Sequence, residues 1–246
     1  MADFSFFTIF VGMNANSFKY LLVSPVFLFS SQAVAEDYFD VVPMVGREAS
    51  GGVAYKASVD FPVGGDDSVV AAAKNWIGEM LEVDADMAEV PVGHMSPDAF
   101  GRLLDAVAAD YVKTTVKGRR EVRITWLYED PTCVSYEAVV TDRDSVEWTT
   151  ADVASFSKKD GHRVTAREVF NCDETQIKRL MWQYRGDLDM EVARPEELYV
   201  GNVAFIDGWV IVVGPARGTS GTEYILRYPE IERWLVPARG EGYLAE

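Results

Sequence analysis

The chain has 246 residues and a formal net charge of −16, which reflects 39 acidic and 23 basic side chains. A chain of this length can bury a sizeable core, and its 48% hydrophobic and 12% aromatic residues are typical of a globular protein rather than a disordered one. The acidity argues against nucleic-acid binding, which needs clustered Lys and Arg. It favours either attraction to a cationic protein or simple solubility.

The first residues differ in character from the rest of the chain. Lys19 precedes an apolar run at 20–29, and the segment 33–35 reads Ala-Val-Ala. These features predict a signal peptide over 1–35, with Met13 as an alternative start, and hence a bacterial protein that is periplasmic or secreted. An uncleaved membrane anchor is the alternative. The run is, however, shorter than the roughly twenty apolar residues that span a bilayer, so no stable membrane span is expected once the leader is removed.

The next part of the chain predicts two strands and two helices. Extended runs at 38–45 and 53–61 are separated by a Gly-containing loop at 47–52. Asp66 and its neighbours supply a cap for a helix that reaches residue 81. A second helix begins after Ser96, a good N-cap followed by proline, and continues to Val112. The acidic segment between the helices, 82–93, is expected to be a solvated loop.

Three strands and a C-terminal helical region follow. Alternating apolar residues at 122–129, 134–140 and 146–156 predict an antiparallel meander. A third helix begins near Asp173, and Asp207-Gly208 joins two β-branched runs as a hairpin turn. Together the elements predict an α+β fold of mostly antiparallel sheets packed against three main helices. The order strand, helix, strands occurs about twice.

The C-terminal third resembles a known family. The segments 160–170, 203–213 and 225–235 are similar to the motif before the helix, the apolar hairpin and the closing strand and helix of the DUF3298 domain, a domain of unknown function found in RsiV-type anti-sigma factors. Residues 38–156 resemble, by element order, the companion domain of PdaC-type polysaccharide deacetylases. The predicted organisation is therefore a PdaC-like domain at 36–157, an RsiV-like domain at 158–237 and a frayed tail at 238–246.

This resemblance implies an envelope-facing binding or sensing module, and in RsiV-type proteins the ligand is lysozyme. Two departures limit what is carried over. The loop 214–221 is shorter than in the family and lacks its aromatic residue, and the sequence contains neither a sigma-binding segment nor the deacetylase catalytic domain. We therefore expect neither an anti-sigma factor nor a deacetylase of that type.

The residues that could carry out chemistry form no recognised catalytic set. The two histidines, His94 and His162, lie beside turn glycines without an evident partner. The segment 218–221 reads Gly-Thr-Ser-Gly but has threonine where a nucleophile elbow requires its second glycine. No phosphate-binding loop or dinucleotide fingerprint occurs, so neither a cofactor nor a metal is expected.

The candidate binding residues lie in the C-terminal half. An acidic loop contributes carboxylates that alternate like calcium ligands but lack the EF-hand glycine and distal glutamate, so a solvated loop is favoured. Tryptophans off the apolar stripe and one loop arginine complete the set, because such side chains often anchor partners. The candidates are Asp187, Asp189, Glu191, Trp182, Trp209 and Arg217. Cys133 and Cys172 either form a disulfide or remain thiols, since their separation cannot be read from sequence.

The leading hypothesis is a non-catalytic, exported envelope module of unknown ligand. A sharper version has its acidic loops bind lysozyme or another cationic protein. One alternative is a cell-wall glycan hydrolase or deacetylase that uses carboxylates such as Asp187 and Asp189 on peptidoglycan. The other alternative is a purely structural envelope protein.

Overall fold

A five-stranded sheet forms the centre of the fold. The structure is a computed structural model, which describes residues 38–144, 147–185, 194–214 and 223–236. The strands lie side by side in chain order, and all neighbours are antiparallel except β2 and β3. The strands are β1 (Asp40–Ser50), β2 (Val53–Gly64), β3 (Gly118–Glu129), β4 (Cys133–Arg143) and β5 (Glu147–Ser157).

The one parallel pair follows from the two helices inserted between its strands. The chain leaves β2, forms α1 (Asp67–Met80) and α2 (Pro97–Thr114), and returns to β3 in the same direction. A parallel pair needs a long crossover of this kind, whereas antiparallel neighbours can be joined by a short turn. The sheet is therefore mixed, and the predicted α+β class is confirmed.

The predicted helix starts are confirmed by their caps. Asp66 accepts hydrogen bonds from the backbone N–H of Ser68 and Val69, at 2.8 and 3.4 Å. Ser96 accepts one from the backbone N–H of Ala99 at 3.3 Å. Each bond satisfies a donor that the first helical turn leaves without an intrahelical partner.

The first hairpin corrects the predicted loop at 47–52. Strand β1 continues to Ser50, which pairs with Val53, so the turn consists of two residues. Those residues are Gly51 and Gly52, with φ values of +59° and +89°. Two successive glycines with positive φ match the twist of the flanking strands, so no longer loop is needed.

A second, three-stranded sheet is built by the C-terminal region. The predicted turn at Asp207-Gly208 is confirmed, with Gly208 at a φ of +72°. All neighbours are antiparallel, in chain order. The strands are β6 (Val203–Ile206), β7 (Trp209–Val213) and β8 (Glu223–Arg227). Three helices accompany this sheet: α3 (Ala166–Val169), α4 (Glu174–Gln183) and α5 (Tyr228–Ile231).

The elements stack in four layers. The inner face of the five-stranded sheet packs against α1 and α2, and part of its outer face packs against the small sheet. Helices α3, α4 and α5 cover the far side of the small sheet. The side chains of β4 alternate between the two faces of the sheet. Tyr136 lies in the core beside α1 and α2, while Ser135 contacts β6. The Ser135 hydroxyl is 2.7 Å from the Ser155 hydroxyl and accepts the backbone N–H of Phe205 at 3.1 Å.

The two predicted domains contact one another at their boundary. Phe156 forms a β-bridge with Arg163, and Gly161 packs against the backbone of Ser68 at the start of α1. The division into two domains at residue 157 stays a prediction. So does the repeat of the order strand, helix, strands. No helix in the described part of the chain is both long and apolar enough to cross a membrane.

Gly161→Ala is expected to lower the free energy of unfolding by about 2–5 kcal/mol. The added Cβ would overlap the carbonyl oxygen of Ser68, and the φ of +74° disfavours any L side chain. Gly208→Ala is the matched control, because its φ of +72° is the same but no atom lies within 4 Å. The control should lose only about 1–2 kcal/mol in urea unfolding. Equal losses for the two variants would show that the contact with Ser68 contributes nothing.

Candidate functional site

The two predicted tryptophan anchors are half-buried and each has an arginine over its ring. The guanidinium of Arg185 lies 3.7 Å from the centroid of Trp182, and that of Arg227 lies 5.2 Å from the centroid of Trp209. Both are cation–π contacts, which occupy a ring face that a partner would otherwise use. The other candidate binding residues, Asp187, Asp189, Glu191 and Arg217, lie outside the described residues.

The cysteines are not joined by a disulfide in this structure. Cys133 is fully buried at the start of β4, in the core beneath α3 and α4. Cys172 is half-buried, and burial followed by the neighbouring Asp173 raises the pKa of its thiol. A raised pKa keeps the thiol protonated at neutral pH, whereas the thiolate is the nucleophilic form.

His162 does have acidic partners, which the sequence did not reveal. Its Nδ1 lies 2.5 Å from an oxygen of Asp160, and its Nε2 lies 2.7 Å from an oxygen of Glu168. These hydrogen bonds, Asp160 first and Glu168 second, raise the pKa of the imidazole. The group is exposed on the surface rather than set in a cleft, and Glu168 also caps α3 through Thr165. The arrangement therefore holds a turn against a helix start, while His94 lies exposed in another turn.

A groove of about 470 Å³ lies beside the end of α1. It borders the predicted acidic loop, so three carboxylates face one concave space. We call it the acidic groove. Its lining residues are Asn75, Gly78, Glu79, Glu82, Val83, Asp84 and Val92.

Two arginines hold the carboxylates of the acidic groove in place. Arg120 donates to both oxygens of Glu82, at 2.8 and 2.7 Å, and Arg163 donates to Glu79 at 2.8 Å. Glu82 has a φ of +55°, in the left-handed region that glycine normally occupies after a helix. A residue other than glycine is disfavoured there, so the paired contact with Arg120 offsets part of that cost.

A pair of carboxyl groups lies where the two sheets meet. Glu137 of β4 and Glu223 of β8 interact, and one oxygen of Glu223 is buried with no hydrogen-bond partner among the described residues. Burial first, and Glu137 second, raise the pKa of Glu223 to about 7, although Arg123 opposes the shift. Interacting carboxyl groups disfavour double ionisation, so the pair keeps a proton to a higher pH than an isolated carboxyl group does. A group with such a pKa can donate or accept a proton at neutral pH.

The sequence pattern did not identify this carboxyl pair. Glu137 sits at a polar position of an alternating strand, and Glu223 follows a Gly-rich segment, so each resembles an ordinary solvated residue. The two residues are 86 positions apart in the chain, and nothing in the sequence indicates that they meet. Only the packing of the small sheet against the five-stranded sheet brings them together.

The fold and these sites define a layered α+β domain with surface grooves. Within the described ranges, no three His, Cys, Asp or Glu side chains are arranged to hold a metal ion. No protein-family model matches the sequence, and no curated protein matches it.

Solved structures identify the fold more closely. A member of the DUF3298 family from Bacteroides fragilis is similar with a TM-score of 0.58 and 9% identity, over 85% of this chain and 98% of that one. A DUF3298 family protein from Pseudomonas aeruginosa gives a TM-score of 0.47 and 11% identity, over 82% of this chain and 96% of that one. The similarity to the Bacteroides fragilis structure confirms the predicted DUF3298 resemblance at the level of the fold.

The carboxyl pair predicts a pH-dependent stability. The folded-state pKa of Glu223, about 7, lies above its ordinary value of 4.5. Protonation of Glu223 therefore stabilises the folded state. This stabilisation is complete below pH 4.5 and is lost as the pH rises through about 7. We expect this carboxyl to account for a loss of about 1 kcal/mol, after allowing for solvent screening of a partly exposed group.

Urea unfolding at several pH values measures the effect. Glu223→Gln should remove that part of the pH dependence, because the amide stays neutral, and Glu137→Gln should reduce it. Glu232→Gln is the control, since Glu232 is exposed and should leave the slope unchanged. An unaltered slope in Glu223→Gln would contradict the shared proton.

Proposed function

We propose that this chain is a non-catalytic, exported module of the cell envelope that receives a cationic partner in its acidic groove. The observation that carries the proposal is the groove itself, in which Glu79, Glu82 and Asp84 face one concave space. The export part of the proposal comes from the predicted signal peptide at 1–35.

The carboxylates of the groove are available to a partner although two of them are already paired. The side chains of Glu79 and Glu82 are 58% and 65% exposed, and Asp84 is exposed as well. Arg163 and Arg120 fix the first two in position, so less side-chain entropy is lost on binding. The formal net charge of −16 adds a long-range attraction for a basic protein.

The partner that the family resemblance suggests is lysozyme, a strongly basic protein. The resemblance to RsiV-type domains supplies this choice, and the acidic groove offers a surface of matching charge. The PdaC-like character of residues 36–157 is compatible with the same envelope setting. Other cationic envelope proteins would fit the same electrostatic description.

One prediction concerns binding at different salt concentrations. The chain should retain hen-type lysozyme in a pull-down at low salt, and retention should fall steeply as salt shortens the Debye length to about 10 Å at 0.1 M. A variant with both Glu79→Gln and Asp84→Asn should bind about tenfold more weakly, because two carboxylates of the groove are neutralised.

Asp105→Asn is the matched control for this experiment. Asp105 is exposed on α2, outside the groove lining, and its neutralisation should leave binding nearly unchanged. If the native chain retains no lysozyme at low salt, lysozyme is not the partner. If a cationic partner binds the native chain and the groove variant equally, the groove is not the binding surface.

A second candidate function is a glycan hydrolase or deacetylase, and the carboxyl pair favours it. The pKa of about 7 would let Glu223 act as a proton donor near neutral pH, with Glu137 as the neighbouring carboxylate. The pair is additional to Asp187 and Asp189, which the sequence suggested and which lie outside the described residues.

Peptidoglycan fragments test the enzymatic candidate directly. An enzyme would release products detectable by chromatography, and Glu223→Gln should reduce turnover by at least about a hundredfold because the proton donor is lost. Asp105→Asn should retain full turnover. A native chain that releases no product would remove this candidate and leave the binding proposal in place.

A further inference from the structure

The outer face of the five-stranded sheet places like charges directly opposite each other. Arg47 of β1 is in register with Lys56 of β2, and Arg119 of β3 is in register with Arg143 of β4. By the alternation of each strand, all four side chains point away from α1 and α2. They occupy two adjacent rows across the sheet, because Lys56 is in register with Glu121, two residues beyond Arg119.

This arrangement costs stability. A like-charged pair directly opposite on neighbouring strands is unfavourable. The chain has 39 acidic and only 23 basic side chains, so its composition does not explain why basic residues lie opposite one another. Positions that break a local stability rule often serve function instead.

The carboxylates nearby do not balance these cations. Glu121 accepts a hydrogen bond from Lys56 at 2.9 Å and lies 3.9 Å from Arg119, while Glu147 pairs with Arg143 at 2.7 Å. Arg47, by contrast, makes no ion pair with any residue in the described ranges. On the outer face four cations therefore meet two carboxylates, because Glu48 is in register with Tyr55 on the helix side.

A groove opens among these residues. It has a volume of about 370 Å³, within the usual range for small-ligand sites. Ala49 and Ala54 continue the row of Arg119 and Arg143 towards the edge of the sheet, and their short side chains leave the space open. The small sheet does not cover this end of the outer face, so solvent reaches it. The lining residues are Arg47, Glu48, Ala49, Ala54, Tyr55, Lys56 and Arg119.

We propose that this groove binds a phosphate-class oxyanion, with Arg47, Lys56 and Arg119 as its direct contacts. A bound dianion would attract each basic side chain and offset the repulsion among them. The paired N–H donors of an arginine guanidinium also match the oxygens of a tetrahedral oxyanion. Glu121 positions the side chains of Lys56 and Arg119, and Arg143 adds charge from the next strand. The group recognised is phosphate, either as a free ion or as part of a polymer.

The basic side chains of the oxyanion groove point to the outer face of the sheet, whereas the acidic groove lies beside α1 on the helix side. Arg119 points to the outer face, whereas its neighbour Arg120 points to the helix side and pairs with Glu82. The two surfaces therefore carry opposite charge and can be tested independently. Loss of oxyanion binding should leave binding of a cationic partner unchanged.

Calorimetric titration with inorganic pyrophosphate and with linear polyphosphate tests the proposal on the full chain. Pyrophosphate should bind more tightly than about 1 mM and raise the melting temperature. Arg47→Gln and Arg119→Gln should each weaken binding at least about tenfold, and added chloride should weaken it further. Binding of polyphosphate but not of pyrophosphate would assign the site to a polymer.

Lys113→Gln is the matched control, since Lys113 is an exposed cation on α2, on the other face of the sheet. It should change affinity by less than about twofold. Without ligand, Arg47→Gln should be at least as stable as the native chain, because it removes a like-charged pair. Failure of both probes to bind, or equal weakening by Lys113→Gln, would overturn the proposal.

Discussion

The partial covering of the outer face of the five-stranded sheet is the constraint on which the rest of the structure depends. Helices α1 and α2 pack against the inner face, and the three-stranded sheet covers only one end of the outer face. The buried contact is anchored by Ser135, whose hydroxyl accepts the backbone N–H of Phe205. A buried N–H without an acceptor costs on the order of 1–3 kcal/mol, so this bond fixes where the small sheet sits.

That placement determines the chemistry of the outer face. At the edge of the covered end, β8 brings Glu223 over Glu137, and partial burial keeps a proton on the pair. At the uncovered end, Arg47 and Arg119 stay solvated and open to an anion. Had the small sheet extended over them, burying these charges would be costly. The same geometry therefore produces a proton-sharing pair and a cationic groove within one sheet face.

Much of the local structure could be predicted because its signals are local. Asp66 and Ser96 mark helix starts, and Asp207-Gly208 marks a hairpin, through preferences that act within a few residues. The loop predicted at 47–52 was wrong, because Gly51-Gly52 alone makes the turn and the charged residues before it belong to β1. Charged residues in an edge strand resemble a loop in sequence, since one face of that strand is solvated.

The sequence by itself determined the element order, the α+β class and the acidity of the segment after α1. Only the tertiary structure decided which distant residues meet, as Glu137 meets Glu223 and Arg120 meets Glu82. The sequence also did not show that Arg47 lies opposite Lys56 or that Arg119 lies opposite Arg143, because register depends on strand pairing. Periodicity shows which face a residue takes, but the packing of sheets and helices decides what lies opposite it.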